Sequence, residues 1–421
     1  MFKQVIRTFG SKLISLFLVF FTGVIISRTF GTEGKGAMTL LLLVPTLITV
    51  YLGFSIGEGI LFYLGKKNIS KKTFNNTLLK LGIYFIPFFI IVYVMMYCFI
   101  KQYEYSIYPQ LILLGLLFYN VILKYAIRGV LYFKVFNIVQ ILESLIVFSG
   151  LLVVVYFKLH IESLLWAYVL SYFTLNIYLY IATTNRISKS VLDVSLRTIF
   201  KYSYKVHFFK ILNFTESKFD ILLIGYFLSV GDVGIYSIAV SITLIFQTIV
   251  QSSISSVLFP SLVNSNSENR IYQTIRYFKF SMFLAFVFLI CFFASGKWFI
   301  ISFYGVDFSS AYIPMIILLI GALAKSPAAC LNSYFKASGR PQELYKTSIY
   351  TVTINIVLCF ILIPKHGIIG AAIASTISYF MYGAIMLFKF KKTSNFTISN
   401  LMITKKDFKA LTIYISNKNI K

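Results

Sequence analysis

Residues 9–67 read FGSKLISLFLVFFTGVIISRTFGTEGKGAMTLLLLVPTLITVYLGFSIGEGILFYLGKK. Two apolar runs, 9–29 and 37–64, are each long enough to cross a hydrocarbon core of about 30 Å as a helix. A short polar segment holding Arg28, Glu33, Gly34, Lys35 and Gly36 separates them. Bases flank the pair: Lys3 and Arg7 before it with Lys12 at its start, and Lys66 and Lys67 after it. That order describes a helical hairpin that leaves a basic inner side and returns to it. The basic start followed by an apolar run also fits a signal peptide. No small-residue cleavage pattern follows, however, and further apolar runs do, so a retained helix is expected.

The pattern continues along the chain and predicts twelve transmembrane helices: 9–29, 37–64, 78–100, 108–131, 136–157, 160–182, 207–229, 233–259, 277–301, 309–334, 343–364 and 367–389. Backbone groups in lipid must be satisfied within their own segment, which makes such runs helices. A membrane barrel would alternate over strands of about ten residues, whereas Leu284 to Ala294 is continuous. Composition agrees. Of 421 residues, 58% are hydrophobic and 12% charged, against about 25% charged in soluble domains. Mean hydropathy is +0.84. So little charge cannot cover a soluble surface of this size, which excludes a soluble enzyme and a disordered chain.

The net charge of +26 would suggest a nucleic-acid partner in a soluble protein. Here the bases cluster between apolar runs, and no nucleic-acid binding is expected. With the N-terminus inside, most Lys and Arg fall on the inner side. Only Arg28, Lys35, Lys101, Lys158, Lys297 and Lys365 fall outside, and Lys218 and Lys325 lie deeper in spans. The asymmetry places both termini in the cytoplasm.

The longest inner connection, 183–206, divides the chain into an N-terminal lobe (1–182), this linker, a C-terminal lobe (207–390) and a basic cytoplasmic tail (391–421). The lobes echo one another: IISRTFGTEGKGAMTLLLL (25–43) against LIGYFLSVGDVGIYSIAV (223–240), with Gly36 opposite Gly234. Gly34, Gly36 and Gly234 are the expected structural turns, since glycine permits tight reversals. Two similar halves suit alternating access.

Ionisable groups at membrane depth are costly and face a cavity or a partner; near helix ends they snorkel to the headgroups. Arg28, Arg128, Lys218 and Lys325 are candidates to line a substrate cavity, with Pro327 expected to break or kink the helix after Lys325. Glu58 (between Gly57 and Gly59), Glu143, Glu216 and Asp220 are candidates for coupling to a proton or a sodium ion. For each, an interhelical ion pair that only fixes packing is the competing reading. No catalytic set emerges. His160, His207 and His366 are isolated, and Cys98, Cys291, Cys330 and Cys359 lack paired spacing, so neither metal nor disulfide is expected. GTEGKGA lacks phosphate-loop spacing. No cofactor is therefore expected. A membrane transferase or polymerase, the non-transport alternative, would usually carry larger extramembrane loops.

The opening stretch 9–67 resembles the N-terminus of bacterial polysaccharide biosynthesis proteins, the Wzx-type oligosaccharide flippases of the multidrug/oligosaccharidyl-lipid/polysaccharide (MOP) superfamily. FDILLIGYFLSVGDVGIYSIAV (219–240), YFKASGRPQ (334–342) and IPKHGIIGAAIASTISY (363–379) are similar in the same way. The resemblance runs over residues 5–390. It implies a two-lobed all-α fold like that of the MATE multidrug exporters. It also implies movement of a polyprenyl-diphosphate-linked oligosaccharide, an O-antigen or capsule repeat unit, to the outer face of the bacterial cytoplasmic membrane, with no bond made or broken. Cavity bases, with Arg28, Lys218 and Lys325 foremost, would attract the diphosphate. A monomer working beside membrane lipids and polysaccharide polymerase machinery is implied. Export of drugs or small cations is the transport alternative, and it would favour a cavity rich in acids and aromatics.

Overall fold

The computed structural model describes residues 2–100, 106–187, 194–263 and 265–394. Lys101, the middle of the 183–206 segment, most of the basic tail and the side chain of Cys98 lie outside the described residues. The described chain is all-α: α1 (Phe2–Leu52), α2 (Ile56–Gly65), α3 (Lys71–Ile100), α4 (Tyr108–Gly129), α5 (Phe133–Tyr156), α6 (Ser163–Thr184), α7 (Leu196–Phe227), α8 (Val230–Val263), α9 (Ser267–Tyr304), α10 (Tyr312–Ala337) and α11 (Gln342–Ser394), with a 3-10 turn at Val306–Ala311. Large apolar side chains point outward along these helices, among them Phe17 at 63% exposure, Leu170 at 56% and Phe293 at 66%. Apolar surface on this scale belongs in lipid, and the protein is a multi-pass membrane protein.

Among the described residues eight continuous helices are long and apolar enough to cross a bilayer, not the twelve separate spans expected. Fusion accounts for part of the difference, because α1 and α11 each run through a glycine with non-helical angles. Gly31 has φ 66 and ψ −164, a region open essentially to glycine alone. Ile26 and Met38 pack in one core, although twelve residues of straight helix would set them about 18 Å apart. A Cβ on Gly23 would lie 3.2 Å from Lys35 Nζ. The chain therefore reverses at Gly31. Gly367, at φ 59 and ψ −142, does the same: a Cβ on Gly370 would meet His366 Cβ at 3.2 Å and the Leu362 carbonyl. Both reversals use G-x-x-G. The first glycine supplies the backbone angle, and the second removes a clash, which for Gly34 would be with Phe30 Cβ. α7, for its part, carries Lys210, Glu216, Lys218 and Asp220 within its apolar half.

The turn glycines thus differ from those expected. Gly34 belongs to the first turn, but Gly31 carries the reversal, and Gly36 and Gly234 lie within helices. The α7–α8 turn uses polar chemistry instead. Ser229 donates its N–H and O–H to Asp232 Oδ2 at 3.2 and 2.6 Å, and Asp232 N–H donates to Ser229 Oγ at 3.1 Å. These mutual bonds satisfy the free N–H groups at the start of α8. The second apolar run is not continuous either. It breaks between α1 and α2, where Phe54 and Ser55 take φ 44 and φ 50, left-handed values unusual for side-chain-bearing residues. Conversely, α10 runs unbroken through Pro327, as packed membrane helices tolerate.

The chain forms two compact units, Met1–Lys218 and Phe219–Lys421, divided inside α7. In the first, α1 packs on α5 and α4, α4 on α2 and α6, and α5 on α6. One core gathers Ile56, Ile60, Phe74, Phe118, Ile122, Ala126, Val139 and Leu179, with Phe85 and Phe118 stacked at 3.6 Å. In the second, α10 is central and packs on α8, α9 and α11.

Candidate functional site

In the first unit the break before α2 is closed by α7. His207 is buried there. Its Nε2 lies 3.0 Å from the Tyr51 carbonyl and its Nδ1 3.3 Å from Ser55 Oγ, and its ring packs 5.2 Å from Phe54. The Tyr51 and Thr215 hydroxyls share a hydrogen bond of 2.5 Å. These contacts satisfy polar groups that the broken helix would otherwise leave unpaired in lipid.

Glu58 follows the break. The Tyr125 hydroxyl bonds to it, and Lys210 and Arg128 share its surroundings. Lys210 Nζ and Arg128 Cζ lie 5.0 and 5.2 Å from the centre of the Tyr125 ring. The flanking glycines make this possible: a Cβ on Gly57 would come within 2.6 Å of Tyr125, and one on Gly59 within 2.8 Å of the Ile199 carbonyl. Arg128 also sits 5.6 Å from Phe136, in the last turn of α4, where a base suits the helix dipole.

Glu143 has found a base. Lys124 Nζ lies 2.5 Å from its Oε2, both side chains being about one-quarter exposed, and Tyr172 donates a hydrogen bond to it. Nearby, Asn120 donates to Asn176 at 2.9 Å, and Asn176 donates to the Leu116 carbonyl at 2.9 Å. These bonds tie α4 to α5 and α6. Glu216 is buried on α7.

The first unit also brings together two cations that the sequence kept apart. Lys35, expected in an outer loop, folds back half-buried beside Gly23, close enough to Lys218 for their charges to repel. Among the described residues no carboxylate lies within ion-pair reach of Lys35. Arg28 is exposed just before the Gly31 reversal. Two ammonium groups are thus brought near one another within the helices of the first unit.

The second unit centres on Asp220, buried at 4% exposure. Its Oδ1 accepts the Ile221 N–H at 2.8 Å, and its Oδ2 accepts the Tyr236 hydroxyl at 2.6 Å and the Ser375 hydroxyl at 3.3 Å. Asn355 Nδ2 donates to Ser375 Oγ at 3.4 Å, and Cys359 Sγ lies 4.0 Å from Asn355 Oδ1. Four segments thus meet: the end of α7, α8 and both arms of α11. The oxygens that meet here are a carboxylate and two hydroxyls, hard donors that suit a proton or a sodium ion. Lys325 Nζ lies 3.7 Å from the centre of the Tyr379 ring. Among the described residues no group of three His, Cys, Asp or Glu is placed to hold a metal. Of the cysteines, Cys330 and Cys359 are buried and Cys291 is exposed.

Comparison with known proteins agrees with this architecture. Residues 25–313 match a family model described as polysaccharide biosynthesis protein. In Haloferax volcanii, the probable low-salt glycan biosynthesis flippase Agl15 is 27% identical over 187 residues, 44% of this chain and 39% of that protein. The probable flippase AglR of the same organism is 26% identical over 170 residues, 38% of this chain and 35% of that protein. The matched stretches thus span about two fifths or less of those relatives. Among solved structures, the lipid II flippase MurJ in an inward closed conformation superposes with a TM-score of 0.72 at 15% identity, covering 95% of this chain and 89% of that one. An inward-facing MATE multidrug transporter gives 0.70 at 14% identity, covering 93% and 99%. The fold is therefore the transporter-like MOP/MATE fold, and the chain belongs to the polysaccharide biosynthesis protein family.

Proposed function

We propose that the protein is a flippase that carries a polyprenyl-diphosphate-linked oligosaccharide repeat unit, of the O-antigen or capsule kind, across a bacterial cytoplasmic membrane by alternating access. The observation that carries the reading is the approach of Lys35 to Lys218 in the first unit. A diphosphate set against these two ammonium groups relieves their repulsion and gains charge-assisted hydrogen bonds. A drug cation would add to the repulsion instead. Membership of the family and the names of the Haloferax relatives point the same way.

In this account the reversals at Gly31 and Gly367 divide α1 and α11 into two spans each, which with α3 to α10 makes twelve. Both termini, the 183–206 linker and the basic tail are cytoplasmic, and the protein works as a monomer alongside the polymerase machinery. Arg28, Arg128 and Lys325 join the anion-attracting set. Asp220 is the coupling residue, taking up a proton or a sodium ion beside the Tyr236 and Ser375 hydroxyls. Glu216 and Glu58 are further coupling candidates, while Glu143 serves packing through Lys124. Equilibrium binding of a short-chain polyprenyl diphosphate to the purified protein tests the anion site. Binding that weakens in both Lys35→Gln and Lys218→Gln supports the proposal. Equal affinity in the wild type and both variants removes the site.

A further inference from the structure

We infer that Lys325 links substrate to coupling ion: seated on Tyr379, its ammonium opposes a cation at Asp220, and an anion that neutralises it strengthens cation binding there. The inference rests on the reading of Asp220 as the coupling residue and adds the link that reading lacks. The second arm of α11 carries Ser375 and Tyr379 four residues apart, on one helix face. Ser375 Oγ reaches Asp220 Oδ2 at 3.3 Å. One turn further on, the Tyr379 ring lies under Lys325 Nζ at 3.7 Å. The two charged groups therefore read out neighbouring positions of a single helix.

The seating is closely packed. A Cβ on Gly321 would lie 3.0 Å from Tyr379 Cδ2, and one on Gly383 would lie 3.1 Å from the Ala324 carbonyl. The Thr376 hydroxyl donates to the Ile317 carbonyl at 2.7 Å. Small residues thus lock α10 to the second arm of α11 around Lys325, so its charge cannot drift far from Asp220 without leaving the ring. Groups close to the carboxylate include Tyr236 on α8, Ser375 on the second arm of α11 and Cys359 on the first, with Asn355 bonded to Ser375 and Tyr379 near Tyr236. On α7 itself Lys218 and Glu216 precede it.

One helical turn plus the side-chain reach puts the ammonium roughly 10 Å from the carboxylate. At that separation a positive charge weakens cation binding by about tenfold. An anion drawn to Lys325 cancels the effect, so anion and cation each raise the other's affinity by the same factor, as linkage requires.

The test is equilibrium cation binding by the purified full-length protein. Radiolabelled sodium is titrated at fixed pH and proton uptake is followed without sodium, each with and without a short-chain polyprenyl diphosphate. The wild type should bind its cation about tenfold more tightly when the diphosphate is present. Lys325→Met should show the tighter binding without diphosphate and no further gain with it. Lys325→Arg should behave as wild type, which separates charge from packing, and size-exclusion profiles verify folding. Lys325→Met binding like wild type in both conditions, with Asp220→Asn unable to bind the cation, overturns the link and leaves Asp220 as the coupling residue. Asp220→Asn with unchanged cation binding overturns both.

Discussion

Replacing Gly31 with alanine isolates the geometry on which the hairpin rests. Gly31 lies at φ 66 and ψ −164, and beyond its immediate neighbours no atom comes within 4 Å of where an alanine methyl would sit. The substitution therefore meets no obstacle, and its effect is conformational. Holding alanine in that region costs about 1–3 kcal/mol. The smaller unfolded-state entropy of alanine returns roughly 0.4–1 kcal/mol. The net loss is roughly 0–2.6 kcal/mol, or up to about 5 °C in melting temperature for a chain of this size. Gly10→Ala is the matched control. It lies in the same helix, at helical angles and with open space around it, so alanine there should be neutral or stabilising. Thermal unfolding in detergent, followed by the loss of the monodisperse peak on size exclusion, measures both. Gly31→Ala melting at or above Gly10→Ala would mean that the chain runs helically through residue 31. The reversal and the twelve-span reading would then fail together.

Three further outcomes follow from the polar clusters and the tight helix contacts. Glu143→Gln breaks the 2.5 Å pair with Lys124 and should lower the melting temperature while leaving cation dependence of transport intact; Asp220→Asn should abolish that dependence, and pH and sodium titrations of transport compare the two. Lys35→Gln removes one of two repelling ammonium groups, so it should raise thermal stability slightly while weakening polyprenyl diphosphate binding by about 10-fold or more, the loss of a charge-assisted hydrogen bond. Gly59→Ala would drive a methyl within 2.8 Å of the Ile199 carbonyl, and overpacking of this kind costs about 1–3 kcal/mol, read as a lower melting temperature than that of Gly10→Ala.

The helical, multi-pass character was legible because apolar runs of span length have few other solutions. Turns were less so. The sequence pointed to Gly36 and Gly234 by their matching positions, yet backbone angle selects Gly31 and Gly367, and Ser229 with Asp232 makes the α7–α8 turn without glycine. The break at Phe54 and Ser55 left no mark in hydropathy; Gly53 was its only local sign, and the side chain that stabilises it, His207, lies 152 residues from Ser55. The position of Lys35 was misjudged for a related reason. Placing the turn at Gly36 put Lys35 in a loop, whereas a turn at Gly31 puts it one helical turn inside. Asp220 stood out by its cost in lipid, but its partners Ser375 and Tyr236 come from other helices, Ser375 lying 155 residues away. Of the break or kink expected at Pro327, the break is absent, because the neighbours of α10 support it.

The central claim is vectorial movement of a lipid-linked glycan without chemistry. Its most direct test is transbilayer transfer in proteoliposomes. Purified protein is given a labelled polyprenyl-diphosphate oligosaccharide in one leaflet, and an impermeant probe counts the substrate that reaches the other. The wild type should transfer it, transfer should slow sharply in Lys35→Gln and in Asp220→Asn, and the substrate should be recovered chemically unchanged. No transfer by folded protein under either proton or sodium gradients, or recovery of a glycan with new bonds, would contradict the claim.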